Sequence, residues 1–190
     1  MSLELTIREY AESDWEGVCR VHDRARPLEF LGNPGFTADH PIRSLAQAAE
    51  EDGFFRSRTA VAISQAGIIG FASVDGAYLG FLYVAPDYHR RGVGRALFRY
   101  VMPWMGAEGY TSVAATNAPA IALYLSAGME LACRFPGEAE GLGGQCVRMA
   151  FPTSSHRRRP ARPTLLALRL EAGRRGVPVE TLPRDWPAEP

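Results

Sequence analysis

Between Tyr88 and Leu97 the chain reads YHRRGVGRAL. Gly92 and Gly94 stand among Arg90, Arg91 and Arg95, directly ahead of a run with helical spacing. The chemistry these residues offer is anion binding. The free N–H groups of a first helical turn point outward, and the helix dipole favours negative charge. Glycine lacks a Cβ, so a phosphate can come close to the backbone amides. A bare pair of glycines would read the same way in a surface turn that caps a helix. The dinucleotide fingerprint GxGxxG does not fit, because Leu97 stands where a third small residue is required and parallel β-α-β context is missing. A Walker loop, GxxxxGK[ST], is absent.

The glycines need a strand before them and a helix after them. Residues 59–64, 67–74 and 78–84 are β-branched, aromatic and short. The turns Gln65-Ala66-Gly67 and Asp75-Gly76 separate them and predict two hairpins. Residues 91–105 read as a helix with Val93, Leu97 and Val101 along one face, and Pro103 is expected to kink or end it. Upstream lie a short strand at 5–8, a helix opened by Glu12-Ser13-Asp14-Trp15 and continued by Val18, Val21 and His22, a loop over 27–41, and a second helix over 44–52. Downstream come a strand at 110–115, a helix at 119–127 with Gly128 as its C′ residue, and strands at 129–135 and 145–151 around a glycine-rich loop, 137–144. The order β-α-α-β-β-β-α-β-α-β-β shows no internal repeat.

The 190 residues suit one domain with a tail. Hydrophobic residues make up 46% and charged residues 22%, as in an ordinary globular chain. Lys+Arg and Asp+Glu balance at 21 each, so net charge argues for neither nucleic acid nor a membrane surface. No apolar run approaches spanning length. The first residues are charged from Glu4 onward, unlike a secretory signal. Cys19, Cys133 and Cys146 are too scattered for a disulfide framework or a zinc site, which fits a reducing cytoplasm and no metal. The domain is expected over 1–152, with an extension over 153–190. There Arg157, Arg158, Arg159 and Arg162 alternate with Pro160 and Pro163 as a stiff linker. Residues 165–172 suit either a short amphipathic helix or a strand. That extension could dock on its own domain or on a second subunit in a homodimer. Without interleaved aromatics it is a poor nucleic-acid binder.

Two longer stretches carry a resemblance. FLYVAPDYHRRGVGRALF, residues 81–98, resembles the acyl-CoA-binding motif of the GNAT superfamily of N-acyltransferases, Gln/Arg-x-x-Gly-x-Gly/Ala entered from a hydrophobic-x-Val-x-Pro strand end. His89 departs from the usual Gln or Arg. TNAPAIALYLSAGM, residues 116–129, is similar to the family's late helix, with Asn117, Ala120, Leu123, Tyr124 and Gly128 in register and Met129 for Phe. The likeness is sharp over 82–129, looser over 5–151, and excludes the tail.

The resemblance implies an α/β (α+β) fold: a mixed, mostly antiparallel sheet flanked by helices, whose fourth and fifth strands splay apart. It implies acetyl-CoA as co-substrate and the primary amine of a small molecule or peptide as acceptor. A β-bulge in strand 78–84 would open the cleft. The backbone of Leu82, Tyr83 and Val84 would pair with pantetheine, and the Val84 N–H would face the thioester oxygen. His89, Arg90, Arg91, Gly92, Val93, Gly94 and Arg95 would hold the pyrophosphate, Asn117 the pantetheine arm. Tyr124 would be the general acid, although an aromatic on such a helix face also suits a core. Many members carry a glutamate base on the bulged strand; YLGFLYV has none. Asp75, Tyr78, Glu29 and His22 are candidates, and a water relay needs none of them. The acceptor would meet residues 24–40 and 136–144, where Glu138 and Glu140 could attract a cationic amine or simply be solvated. A non-catalytic acyl-CoA-binding module on the same fold is the alternative reading.

Overall fold

The β-branched and aromatic runs form seven strands of one sheet. A computed structural model describes residues 4–155, and the expectations for residues 156–190 lie outside them. The strands are β1 (Thr6–Glu9), β2 (Arg58–Ser64), β3 (Gly67–Asp75), β4 (Tyr78–Val84), β5 (Tyr110–Ala114), β6 (Glu130–Ala139) and β7 (Leu142–Ala150). Their spatial order is β1-β2-β3-β4-β5-β7-β6. Every neighbouring pair is antiparallel except β4 and β5, which run parallel. The α/β class with a mixed, mostly antiparallel sheet is therefore the one observed.

Helices α1 (Trp15–Ala25) and α2 (Leu45–Ala48) cover one face; α3 (Val93–Met105) and α4 (Ala118–Ser126) cover the other. The periodicity seen in the sequence is what buries them. Val18, Val21 and Leu45 pack on Phe71, Phe81 and Tyr83. Val93, Leu97, Val101 and Tyr124 pack on Ala72, Leu79, Val147 and Met149. Leu97 and Phe98 are fully buried, so each contributes about 1.5–3 kcal/mol to holding α3, and with it the glycine turn, against the sheet.

Local rules set the helix ends. Asn117 caps α4, its Oδ1 accepting from the Ala120 N–H at 3.2 Å. Gly128, at φ 89°, closes it in a Schellman motif, with Met129 N–H donating to Tyr124 O at 3.0 Å. The helix expected over 44–52 is regular only over Leu45–Ala48; a second Schellman turn at Gly53, φ 81°, stops it through Phe54 N–H to Ala49 O at 2.8 Å. Pro103 does not break α3, because it sits in the last turn before the helix ends at Met105. The glycine-rich loop expected over 137–144 is instead a continuation of β6 and β7. The pairs Gly137↔Gly144, Glu138↔Gly143 and Ala139↔Leu142 leave only Glu140 and Gly141 as the turn, both at positive φ (55° and 76°). Such a pair matches the right-handed twist of a hairpin.

Candidate active site

β4 and β5 meet at one register pair, Tyr78↔Tyr110. Around it Tyr110 N–H donates to Ala77 O at 3.0 Å and the Thr111 hydroxyl to Leu79 O at 2.8 Å. Past that point the strands part. The register of β4 on β3 steps from Val74↔Leu79 to Ser73↔Phe81, so Gly80 is the extra, bulged residue. Ala85 N–H donates to Ile69 O at 2.8 Å. Antiparallel alternation then turns the backbone groups of Tyr83 and Phe81 toward β3, and those of Leu82 and Val84 toward the gap. The Tyr83 backbone, expected to face the cleft, thus pairs with Phe71 across the sheet. His89 Nε2–H donates to the Val84 carbonyl at 2.8 Å, which leaves Val84 its N–H for the gap.

The turn before α3 places two left-handed residues, Arg90 at φ 60° and Gly92 at φ 86°. The first bond of the helix runs from Ala96 N–H to Gly92 O at 3.0 Å. The amides of Val93, Gly94 and Arg95 therefore have no partner within the helix. A Cβ on Gly94 would stand 3.6 Å from Val84 Cγ2 and 3.8 Å from Leu123 Cδ1, in the gap between β4 and α4. His89, Arg90, Gly92, Val93, Gly94 and Arg95 line one cavity together with Leu82, Val84 and Asn117. Arg91 does not; its guanidinium lies over the Tyr88 ring, 5.5 Å from the centroid.

A second cavity lies on the far side of the same gap, lined by β4, β5, β7 and the β6–β7 hairpin. Glu29, Leu82, Thr116, Asn117, Ala120 and Tyr124 line both, so the cavities meet there. Tyr124 is buried, its ring 5.6 Å from that of Phe98. Burial pushes its hydroxyl well above the ordinary phenol range, Glu29 and Tyr78 add to the effect, and a hydrogen bond with Thr111 opposes it. It is a proton-bearing donor at neutral pH.

The candidate bases separate by position. His22 is buried against Phe81 and Tyr83, with Nδ1 2.8 Å from Asp23, outside both cavities. Asp75 ends β3 and pairs with Arg56 at 3.0 Å. Tyr78 lines the second cavity, its hydroxyl pushed up to about 12 mainly by burial. Glu29 stands at the junction, ion-paired with Arg26.

Glu140 is not a solvated loop tip. Its side chain is 3% exposed, 3.5 Å from Arg26 and 3.2 Å from Arg43, while His40 Nε2–H donates to its carbonyl at 2.8 Å. With Asn33 donating to Gly143 O at 3.2 Å, these contacts clasp the hairpin to the segment after α1 across the second cavity. Arg26, Arg43 and Arg148 were not evident in the sequence. The signal for Arg148 was a charge inside the otherwise apolar run CVRMAF of a strand with neighbours on both sides.

The profile described as the acetyltransferase (GNAT) family matches residues 8–129. The peptidyl-lysine N-acetyltransferase YiaC of Escherichia coli (strain K12) is 35% identical over 78 residues, 38% of this chain and 51% of that protein. The chain thus spans about half the length of that curated relative. The ribosomal-protein-S18-alanine N-acetyltransferase of Escherichia coli superposes with a TM-score of 0.60 at 25% identity, over 80% of this chain and 95% of that one. YncA of Salmonella typhimurium, solved with its cofactor acetyl-CoA, shares the fold at a TM-score of 0.56 and 18% identity, over 76% and 91% of the two chains.

Proposed function

Since the chain belongs to the acetyltransferase (GNAT) family, we propose that it moves an acetyl group from acetyl-CoA to the primary amine of a small molecule or peptide by direct attack on the thioester. The residues present fit such a donor. The unpartnered amides at the start of α3, with Gly92 and Gly94 beside them and Arg90 and Arg95 around them, suit a pyrophosphate. The outward backbone of Leu82 and Val84 suits the amides of a pantetheine arm laid along β4 as a further strand. The family motif assigned Arg91 to the same role, and its place over Tyr88 leaves it only a longer-range charge effect.

The single observation that carries the reading is that the two cavities meet at Leu82, Glu29 and Tyr124. A thioester supplies an activated acyl carbon and a good leaving thiol. The Val84 N–H is placed to stabilise negative charge developing on the acyl oxygen. Tyr124 is placed to donate to the departing sulfur, and Asn117 to steady the arm between them. Glu29 supplies at the junction the carboxylate that β4 lacks, where it can take the amine's proton directly or through one water. Holding amine and thioester on either side of one gap makes the reaction effectively unimolecular. That placement of Glu29 favours catalysis over a purely binding module.

Among the described residues no helix is long and apolar enough to cross a membrane. Cys19, Cys133 and Cys146 are free thiols, in keeping with the reducing cytoplasm we propose. The test is release of free thiol from acetyl-CoA with a panel of primary amines. Amine-dependent release, with an acetamide product, is the expected result; acetyl-CoA binding without release for any amine would mark a binding module.

A further inference from the structure

The second cavity holds two buried arginines in opposite circumstances. Arg26 is 16% exposed and has two carboxylate partners, Glu29 and Glu140. Arg148 is 7% exposed, and no salt bridge to it occurs among the described residues; its Nε is buried without a hydrogen-bond partner. Its guanidinium lies between two rings instead, 5.4 Å from the centroid of Tyr110 and 5.7 Å from that of Phe135. A guanidinium does not shed its proton at any working pH, and a buried charge without a counter-ion is costly. Ring contacts offset part of that cost but satisfy none of the N–H donors. Packing also holds the planar fork still, on β7, with Tyr78 and Tyr124 lining the same cavity.

We propose that Arg148 binds a carboxylate on the amine acceptor, which makes the substrate a compact amine of the amino-acid class. This rests on the acetyl-transfer reading above and names the acceptor for that site. A planar fork with unmet donors matches a carboxylate in charge and geometry. The clasp at Glu140 ties the β6–β7 hairpin to the segment after α1. The cavity so enclosed admits a small molecule more readily than a polypeptide laid across it. At its junction end Glu29 and Tyr124 await the amine. An amine bearing a carboxylate would thus meet opposite charges lining one cavity, and its orientation would follow.

The experiment compares amino acids with their C-terminal amides and decarboxylated counterparts, and with short amidated peptides, in the thiol-release assay. It uses the full chain and its Arg148→Met and Arg148→Lys variants, and acetyl-CoA-induced melting shifts are read on the same samples. For the wild type, kcat/KM is expected to favour the free acid over its amide by roughly 10- to 100-fold. Arg148→Met is expected to keep the acetyl-CoA shift, to melt no lower than the wild type because a buried unpaired charge is gone, and to lose the preference for the acid. Arg148→Lys, a charge without the fork, is expected to fall between. Equal or better turnover of amides or amidated peptides by the wild type overturns the inference, as does an unchanged preference in Arg148→Met. A marked fall in its melting temperature makes Arg148 structural and also overturns it. An acetyl-CoA shift with no turnover of any pair overturns it while leaving the donor site standing, whereas no acetyl-CoA shift in the wild type sinks the acetyl-transfer reading itself.

Discussion

Tyr124 and Glu29 occupy the one place where both cavities are in reach, and they differ in what their removal should do. Tyr124→Phe keeps the ring that packs on Phe98 and deletes only the donor. The expected outcome is a lower kcat, about 10- to 100-fold, because a general acid contributes at least that much and the thiol is already a good leaving group. Acetyl-CoA affinity should stay near the wild-type value; steady-state kinetics with a confirmed amine, alongside a melting curve, checks it. A variant that loses stability as well as rate would show the hydroxyl to be a structural hydrogen bond. Glu29→Gln should lower kcat by roughly 100-fold while leaving the fold in place, since Arg26 retains Glu140. Wild-type turnover in that variant would pass the base role to water or to Tyr78. Tyr124 was legible in the sequence because Asn117 and Gly128 flank it at fixed spacing, and both now prove to be the caps of α4. Arg148 was not legible: spacing along β7 puts it on one face of a strand, but only the packed sheet shows that no carboxylate comes to meet it.

Among the elements, the β6–β7 hairpin departs furthest from its reading in the sequence. Four glycines from Gly137 to Gly144 suggested a loop, yet strand pairing runs to Ala139 and Leu142 and the turn is Glu140-Gly141. The tight turn is unusual in placing Glu140, a non-glycine residue, at φ 55°. What fixes it there is long-range: the Glu140 carboxylate is pulled under by Arg26 and Arg43, 114 and 97 positions earlier in the chain, a distance no local pattern reports. Burial alone would raise the pKa of Glu140, but hydrogen bonds from Arg43 and the charges of Arg26 and Arg43 bring it below the usual glutamate value. The sign follows. A depressed folded-state pKa gives stability that is present above the unfolded value, about 4.3, and is lost as pH falls through the folded value. The clasp should therefore weaken as pH falls below the ordinary glutamate range, seen as a loss of melting temperature that Glu140→Gln lacks. At neutral pH the same substitution should cost about 1–3 kcal/mol, since it leaves charged donors of Arg43 unmet. An acid-melting profile identical to the wild type would show that the clasp adds nothing to stability. The bulge on β4 was better foreseen, because the family resemblance implied one within residues 78–84, and the register step puts it at Gly80.

At the scale of the whole fold, α1 and α2 pack on one face of the sheet and α3 and α4 on the other, and where β4 parts from β5 the two cavities meet. The donor half rests on the close approach of α3 to β4, and Gly94 is where that can be tested without disturbing the fold. The space around its missing Cβ is ordinary, 3.6 Å to Val84 and 3.8 Å to Leu123, and valine is no worse than glycine in a helix. Gly94→Val should therefore fold and melt within a few degrees of the wild type. Its branched methyls would project into the gap beside the helix-start amides, where the proposed pyrophosphate would sit. A ligand that binds only the folded state at about 100 times its Kd stabilises by about 2.7 kcal/mol. For a domain of about 150 residues that is a rise in Tm of roughly 5–10 °C. The wild type should show this rise with millimolar acetyl-CoA, and Gly94→Val should show almost none. A full shift in the variant would mean that the glycines only cap α3 and that the donor lies elsewhere. No shift in the wild type would remove acetyl-CoA from the site altogether.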